Sequence, residues 1–159
     1  MQIEIRAIGR IREVYIAAGI DEYRKRLRPY TRFSIHEFPE VRIQDEHSPA
    51  GCQQVREREG SLLLNGIPDS KVIIALDPEG DSWTSSELAR RMASWELSGQ
   101  GGVVFLIGGP LGLHKTVFTR SDHRLSLSRM TFPHQLVRLI LAEQLYRAFR
   151  IMRGEPYHK

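Results

Sequence analysis

Apolar and polar positions along the chain alternate between two kinds of pattern. One has a period of two or an unbroken apolar run, and the other has the 3.6-residue period of a helix. IEIRAI (3–8) reads as a strand, and a helical pattern follows over about 13–27, with Pro29 near its end. FSIHEF (33–38) alternates with period two, and a helix-compatible stretch covers about 51–64. VIIALD (72–77) and VVFLI (103–107) are continuous apolar runs, as expected of strands buried on both faces. Between them, Ser85 or Ser86 can cap a helix reaching about Leu97, and Gly99-Gln100-Gly101-Gly102 breaks the chain. After Gly108-Gly109-Pro110-Leu111-Gly112 come a short helix, a short strand near 124–127 and a last helix over roughly 134–152. Strands alternating with helices imply parallel pairing through crossovers, hence an α/β layered domain. There is no internal repeat and no low-complexity segment. The polar stretch 42–49 is a loop candidate rather than a boundary, so 1–159 is expected to be one domain.

The last helix carries more apolar surface than one core contact requires. Glu143, Arg147 and Arg150 follow at spacings of four and three and share one face, while most of the remaining circumference is apolar. Such a helix is either central in the fold or partly covered by a second chain, for which a symmetric dimer is the commonest solution. Arg138 falls inside the apolar arc, about 140° around the helix from Glu143. A structural partner carboxylate and a ligand or substrate are both open readings for it.

Composition narrows the picture. With 159 residues, 41% hydrophobic and 26% charged, the chain suits one soluble domain that needs no disulfide or metal staple. The single cysteine, Cys52, excludes an intramolecular disulfide and a multi-cysteine zinc site, and suits a reducing compartment. Glu4, Arg6 and Arg10 stand where a signal peptide would be apolar, and the longest purely apolar runs are five residues. A cytoplasmic protein with no membrane span is the expectation. The net charge of +4 is unevenly spread: residues 120–159 hold eight Lys/Arg against three acids, whereas 1–119 hold fifteen against sixteen. A second cluster is Arg24, Lys25, Arg26, Arg28 and Arg32. Clustered arginine suits a polyanion partner, although solvated helix faces read the same way.

Few familiar catalytic motifs are present. Gly109 to Thr116, G-P-L-G-L-H-K-T, approaches a phosphate-binding loop but has His114 where that loop needs its second glycine, and Pro110 removes an N–H donor. No H-x-x-x-H pair or G-x-S-x-G occurs, which argues against a metal site and a serine nucleophile. Asp77 and Glu79 could be a carboxylate pair, but two acids on a loop after a strand are more often turn formers. The Gly108-Gly109 turn after a buried strand either lets a ligand approach the backbone or makes a tight connection. Pro156-Tyr157-His158-Lys159 is either a frayed tail or, following the apolar helix closely, a segment held near a site.

FLIGGPLG, followed by SLSRMTFPHQLVRLILAEQLYRAFRI and the closing PYHK, resembles the ribosomal RNA large subunit methyltransferase H (RlmH) family of knotted SPOUT enzymes. GIDEYRKRL (19–27) and, less sharply, REREG (56–60) extend the likeness over the whole chain. The resemblance implies a mostly parallel sheet flanked by helices with a C-terminal trefoil knot, where topology rules alone would give an open doubly wound sheet. It implies S-adenosylmethionine as cofactor, a homodimer, and methylation of N3 of a pseudouridine in 23S rRNA of assembled ribosomes. Carried over residue by residue, Leu76, Gly108, Gly109, Ser128, Arg129, Met130, Thr131, Phe132 and Pro133 would form the cofactor pocket. His158 would take the N3 proton or orient the base, Tyr157 would stack on or hydrogen-bond the flipped base, and Arg138 and His134 would stabilise an anion or shape the pocket. The family lacks an appended RNA-binding module, so the resemblance implies recognition by the dimer surface, through the basic last helix joined by the Arg24 to Arg32 cluster. The rival readings are a non-catalytic ribosome-associated protein of the same fold and a related methyltransferase with another RNA target.

Overall fold

The computed structural model describes residues 1–45 and 47–157. Among them, β1 (Gln2–Ile8), β2 (Arg32–Phe38), β3 (Lys71–Ser82), β4 (Gly102–Ile107) and β5 (His123–Ser126) form one sheet in the order β2-β1-β4-β3-β5, every neighbour parallel. The helices are α1 (Val14–Leu27), α2 (Pro49–Leu64), α3 (Ser85–Leu97), α4 (Lys115–Arg120) and α5 (His134–Met152). The steps β1 to β2 and β3 to β4 run one way along the sheet, and β2 to β3 and β4 to β5 run the other. A constant crossover hand then requires α1 and α3 on one face and α2 and α4 on the opposite one.

The core divides in that way. Ile3, Ile5, Val72, Ile74, Val103 and Phe105 join Leu27, Leu88, Met92, Leu141, Leu145 and Phe149 in one cluster, and Ile8, Ile73, Ala75, Val104 and Leu106 join Leu63 and Val117 in the other. Every residue of the central strand β4 is buried, as its unbroken apolar run requires. Helix α5 adds a third member to the first face and packs on both α1 and α3. A charged group is buried under the α2/α4 face: Glu4 accepts from Arg6 Nε at 2.6 Å and Lys71 Nζ at 2.9 Å. Burial alone would raise its pKa, but the hydrogen bonds from Lys71 and Arg6 outweigh that and hold it below the ordinary value.

Three element ends differ from the sequence pattern. Strand β3 does not stop at Asp77 but continues to Ser82, pairing with β5 again after a register shift between Leu76 and Asp81. Pro78 and Gly80 signal a turn in one dimension, yet here they mark an irregularity within a strand. Helix α2 starts at Pro49, with the Ser48 hydroxyl accepting from Gly51 N at 2.9 Å. The cap of α3 is Thr84, which shares a reciprocal capping box with Glu87, rather than Ser85 or Ser86.

Candidate active site

All strands of a parallel sheet end on the same side, where ligands of α/β proteins gather. There the chain turns sharply after β4. Gly112 N donates to Gly109 O at 3.0 Å, and Gly112 has φ of 81°. Gly108 and Gly109 are glycine for a different reason, close approach. A Cβ on Gly108 would lie 3.0 Å from Leu113 Cδ2 and 3.1 Å from the Gly112 backbone, and one on Gly109 would lie 3.0 Å from Glu59 Oε2. Glu59 is buried behind the turn, bonded through Oε1 to Val41 N at 3.1 Å, and burial pushes its carboxyl above the ordinary range.

Between this turn, the end of β3 and the segment after β5 lies a cleft of about 280 Å³. Leu76, Gly108, Gly109, Ser128, Met130, Thr131 and Phe132 line it, as does His134. Arg129 and Pro133 are not in its wall; Pro133 instead lines an adjoining recess. The segment after β5 is fixed by its own polar groups. Ser126 Oγ donates to Ser128 O at 3.0 Å, and Ser128 Oγ accepts from Met130 N at 3.0 Å, which leaves Met130 exposed as a lip. Sequence reasoning missed Ile107, Leu127 and Val137, whose signal was only that they end or begin elements facing the strand ends. It also missed Asp77 as a wall residue. Asp77 accepts from Arg124 Nε at 2.9 Å and, through Oδ1, from Glu79 N at 3.2 Å, so both its oxygens are engaged at the irregularity in β3.

The two α5 candidates lie together. Arg138 is 1% exposed, donating through Nη2 to Ile8 O at 2.7 Å and through Nη1 to Glu37 Oε1 at 3.1 Å, while its buried Nε has no partner. The carboxylate partner therefore exists, 101 residues away in sequence. Burial, and then the Arg138 charge, lower the His134 pKa, so its imidazole is neutral at physiological pH. His114, which spoils the phosphate-loop pattern, is buried: it caps α4 and hydrogen-bonds Thr116 Oγ1 at 2.9 Å and Gln53 Nε2 at 3.0 Å.

Tyr157 is not at the cleft of its own chain. Its hydroxyl donates to Glu143 Oε1 at 3.2 Å, its ring meets Tyr146 edge-on at 4.9 Å, and the Arg147 guanidinium lies 4.8 Å from the ring centre. Glu143 is nine residues along α5 from His134, roughly 13 Å of helix. Burial, then its hydrogen bond with Tyr23 and the nearby Glu143, push the Tyr157 phenol up to about 12. His158 lies outside the described residues. Among the described residues no cluster of His, Cys, Asp and Glu could hold a metal ion, and no helix is long and apolar enough to cross a membrane.

A glycine-bounded cleft at the strand ends, closed by an irregular segment leading into the last helix, fits a known class. The family model described as "Predicted SPOUT methyltransferase" matches residues 1–158. Proteins named ribosomal RNA large subunit methyltransferase H from Moorella thermoacetica and Halothermothrix orenii are 52% and 48% identical, each over 100% of this chain and over 99% and 100% of those proteins. The chain belongs to that family of SPOUT methyltransferases. The fold has a solved counterpart in a protein described as a "probable methylase family protein" of Haemophilus influenzae Rd KW20, with TM-score 0.58, 11% identity, and coverage of 99% of this chain and 70% of that one.

Proposed function

We propose that the chain methylates N3 of a pseudouridine in 23S rRNA of assembled ribosomes, with S-adenosylmethionine as donor, and that it acts as a homodimer. The cleft between the Gly108-Gly109 turn and the Ser128 to Phe132 segment carries this reading, together with the names of the relatives. Its walls fit the cofactor. Backbone comes close at 108 and 109, where no side chain intervenes to keep an adenine edge from amides and carbonyls. Leu76, Ile107, Leu127 and Phe132 supply apolar surface for a ring. When bound, S-adenosylmethionine supplies a methyl group already activated as a sulfonium. The chain's own task is then to hold the acceptor in line and handle one proton.

The N3–H of pseudouridine is a weakly acidic imide proton that must leave before or during attack. Histidine is the side chain type that commonly accepts a proton near neutrality, and His158 is assigned that task. Tyr157, a phenol up to about pH 12, serves as a hydrogen-bond donor or stacking surface rather than a base. His134, neutral and at the cleft edge, orients the base without adding charge. Because Tyr157 is held against Glu143 of its own α5, the tail beside a given cleft belongs to the second protomer in this reading. The knot implied by family likeness belongs to the same reading, since the segment after β5 must carry the chain from the sheet edge to α5.

The decisive experiment incubates the protein and S-adenosylmethionine with ribosomes from a strain lacking this methylation and maps the product by mass spectrometry. One added methyl on a pseudouridine of 23S rRNA is expected. A methyl group on another nucleotide would change the target, and cofactor binding with no transfer at all would make the chain a non-catalytic binder. Mixing a Gly108→Trp protomer, whose side chain fills the cofactor cleft, with one lacking residues 157–159 tests the shared site: activity is expected to return in the mixture and not in either variant alone.

A further inference from the structure

Beside the cofactor cleft, and sharing Pro110 and His134 with it, lies a second recess of about 270 Å³. It is bounded by the loop after β1 and by the first turns of α5. Its lining includes Arg138, 1% exposed and with a buried, unpartnered Nε. Its rim carries Arg10 and Arg12, both exposed, for which no hydrogen bond or ion pair of the side chain occurs among the described residues. The loop that presents them is braced rather than loose. Gly9 takes φ of 85°, Ile11 N donates to Glu37 Oε1 at 3.0 Å, and Gln135 Oε1 accepts from Arg12 N at 2.6 Å and Glu13 N at 3.2 Å.

Charge decides what the recess can hold. Glu37 is occupied by Arg138 and Ile11 N, and the one acid in the wall, Glu40, sits 3.8 Å from Arg42 Nη2. Two cations remain uncompensated at the rim. Helix α1 begins at Val14 after the N-cap residue Glu13, whose side chain makes no cap hydrogen bond, and its first turn holds no acid, so its positive dipole end adds to the field. A recess of this size, with a cationic rim and a wall in common with the methyl-donor cleft, suits a phosphodiester of the strand whose base is being methylated.

We propose that Arg10, Arg12 and the buried Arg138 form a subsite for a backbone phosphate of the acceptor RNA, fixing the strand beside the cofactor cleft of the same protomer. This rests on the methyltransferase reading above for the identity of the RNA, but its binding can be measured without turnover. Arg10→Glu/Arg12→Glu is compared with wild type and with Arg10→Lys/Arg12→Lys in two assays: co-sedimentation with large ribosomal subunits, and methyl transfer at varied ribosome concentration. The charge reversal should weaken co-sedimentation and raise KM for ribosomes about tenfold or more, and the lysine pair should restore most of both. The dependence of log kcat/KM on log salt should become shallower by about 1, one to two phosphate contacts being lost. Calorimetric affinity for S-adenosylmethionine should stay at the wild-type value, because neither arginine lines that cleft. Wild-type co-sedimentation and KM in the reversed variant would overturn the subsite. So would a changed oligomeric state by light scattering, since the recess would then seat a second copy of the chain. If wild type binds subunits but transfers no methyl, the proposed reaction fails while the binding comparison still judges the subsite.

Discussion

Arg138 offers the sharpest test of how the site is supported. Replacing it with alanine removes the hydrogen bond to Ile8 O, strands Glu37 and opens a void under the recess. Truncating one partner of a buried ion pair typically costs about 3–5 kcal/mol. Here the lower end applies, because the Glu37 side chain is 29% exposed, keeps its bond from Ile11 N and can rehydrate. The expected loss is about 3 kcal/mol, or roughly 6–12 °C in Tm for a domain of this size. Arg138→Met keeps the volume, so no void opens, and discards a guanidinium that burial penalises and whose Nε is unpartnered, leaving a partly exposed Glu37 that rehydrates and the unsatisfied Ile8 carbonyl, for a loss of about 1–2 kcal/mol. Urea unfolding of the three proteins at one pH, with equal m-values, measures both differences. Arg138→Ala within about 0.5 kcal/mol of wild type, a margin typical of surface substitutions, would refute the structural role. A methionine variant as unstable as the alanine variant would refute the claim that desolvation offsets the lost bonds. If Arg138→Met is stable and still methylates ribosomes at the wild-type rate, the residue supports the fold and takes no part in binding the acceptor.

Gly108→Ala drives a Cβ against the Gly112 backbone at 3.1 Å, so calorimetric affinity for S-adenosylmethionine should fall about tenfold, near 1.4 kcal/mol, while far-ultraviolet circular dichroism keeps its shape. Glu4 has a depressed folded pKa, so its contribution to stability is present above the unfolded value and lost as pH falls; Glu4→Gln should cost about 2 kcal/mol at pH 7 and flatten the acid limb of a urea–pH series. Tyr157 has a raised folded pKa, so its contribution holds below about pH 10 and is lost between about 10 and about 12; an ultraviolet phenolate titration should lose its highest step in Tyr157→Phe. His158→Ala should abolish single-turnover methylation of ribosomes without changing cofactor affinity, and full single-turnover methylation would remove the assignment of His158 as the base.

The order and type of the ten elements were legible because most show either an apolar period or an unbroken apolar run, and β4, buried on both faces, is the plainest case; β2, which buries no residue fully, was legible from its alternation alone. What stayed hidden depends on residues that meet only in three dimensions. The pattern ended β3 at Asp77 because Pro78 and Gly80 weigh as turn formers locally; the partner that keeps 81–82 in the sheet, β5, is more than forty residues downstream. Arg138 was equally open to a structural or a ligand role until Glu37 and the Ile8 carbonyl came into contact with it. The Gly108-Gly109 turn was open to ligand approach or a tight connection; in three dimensions only Gly112 of the turn takes positive φ, and 108 and 109 are glycine because Leu113, Gly112 and Glu59 approach where a side chain would stand. Charge distribution has a hidden part too. The last forty residues hold the excess of arginines, and several of them are engaged within the chain: Arg150 bonds to Tyr30, Glu155 and the Pro156 carbonyl, Arg147 to Glu143, and Arg124 to Asp77. Much of that charge therefore braces the tail and the cleft rim internally. Among the described residues, Arg10 and Arg12, from a near-neutral part of the sequence, have no side-chain partner beside the cleft any more than Arg129 of the basic segment does, and a net-charge count by segment cannot distinguish a paired arginine from a free one.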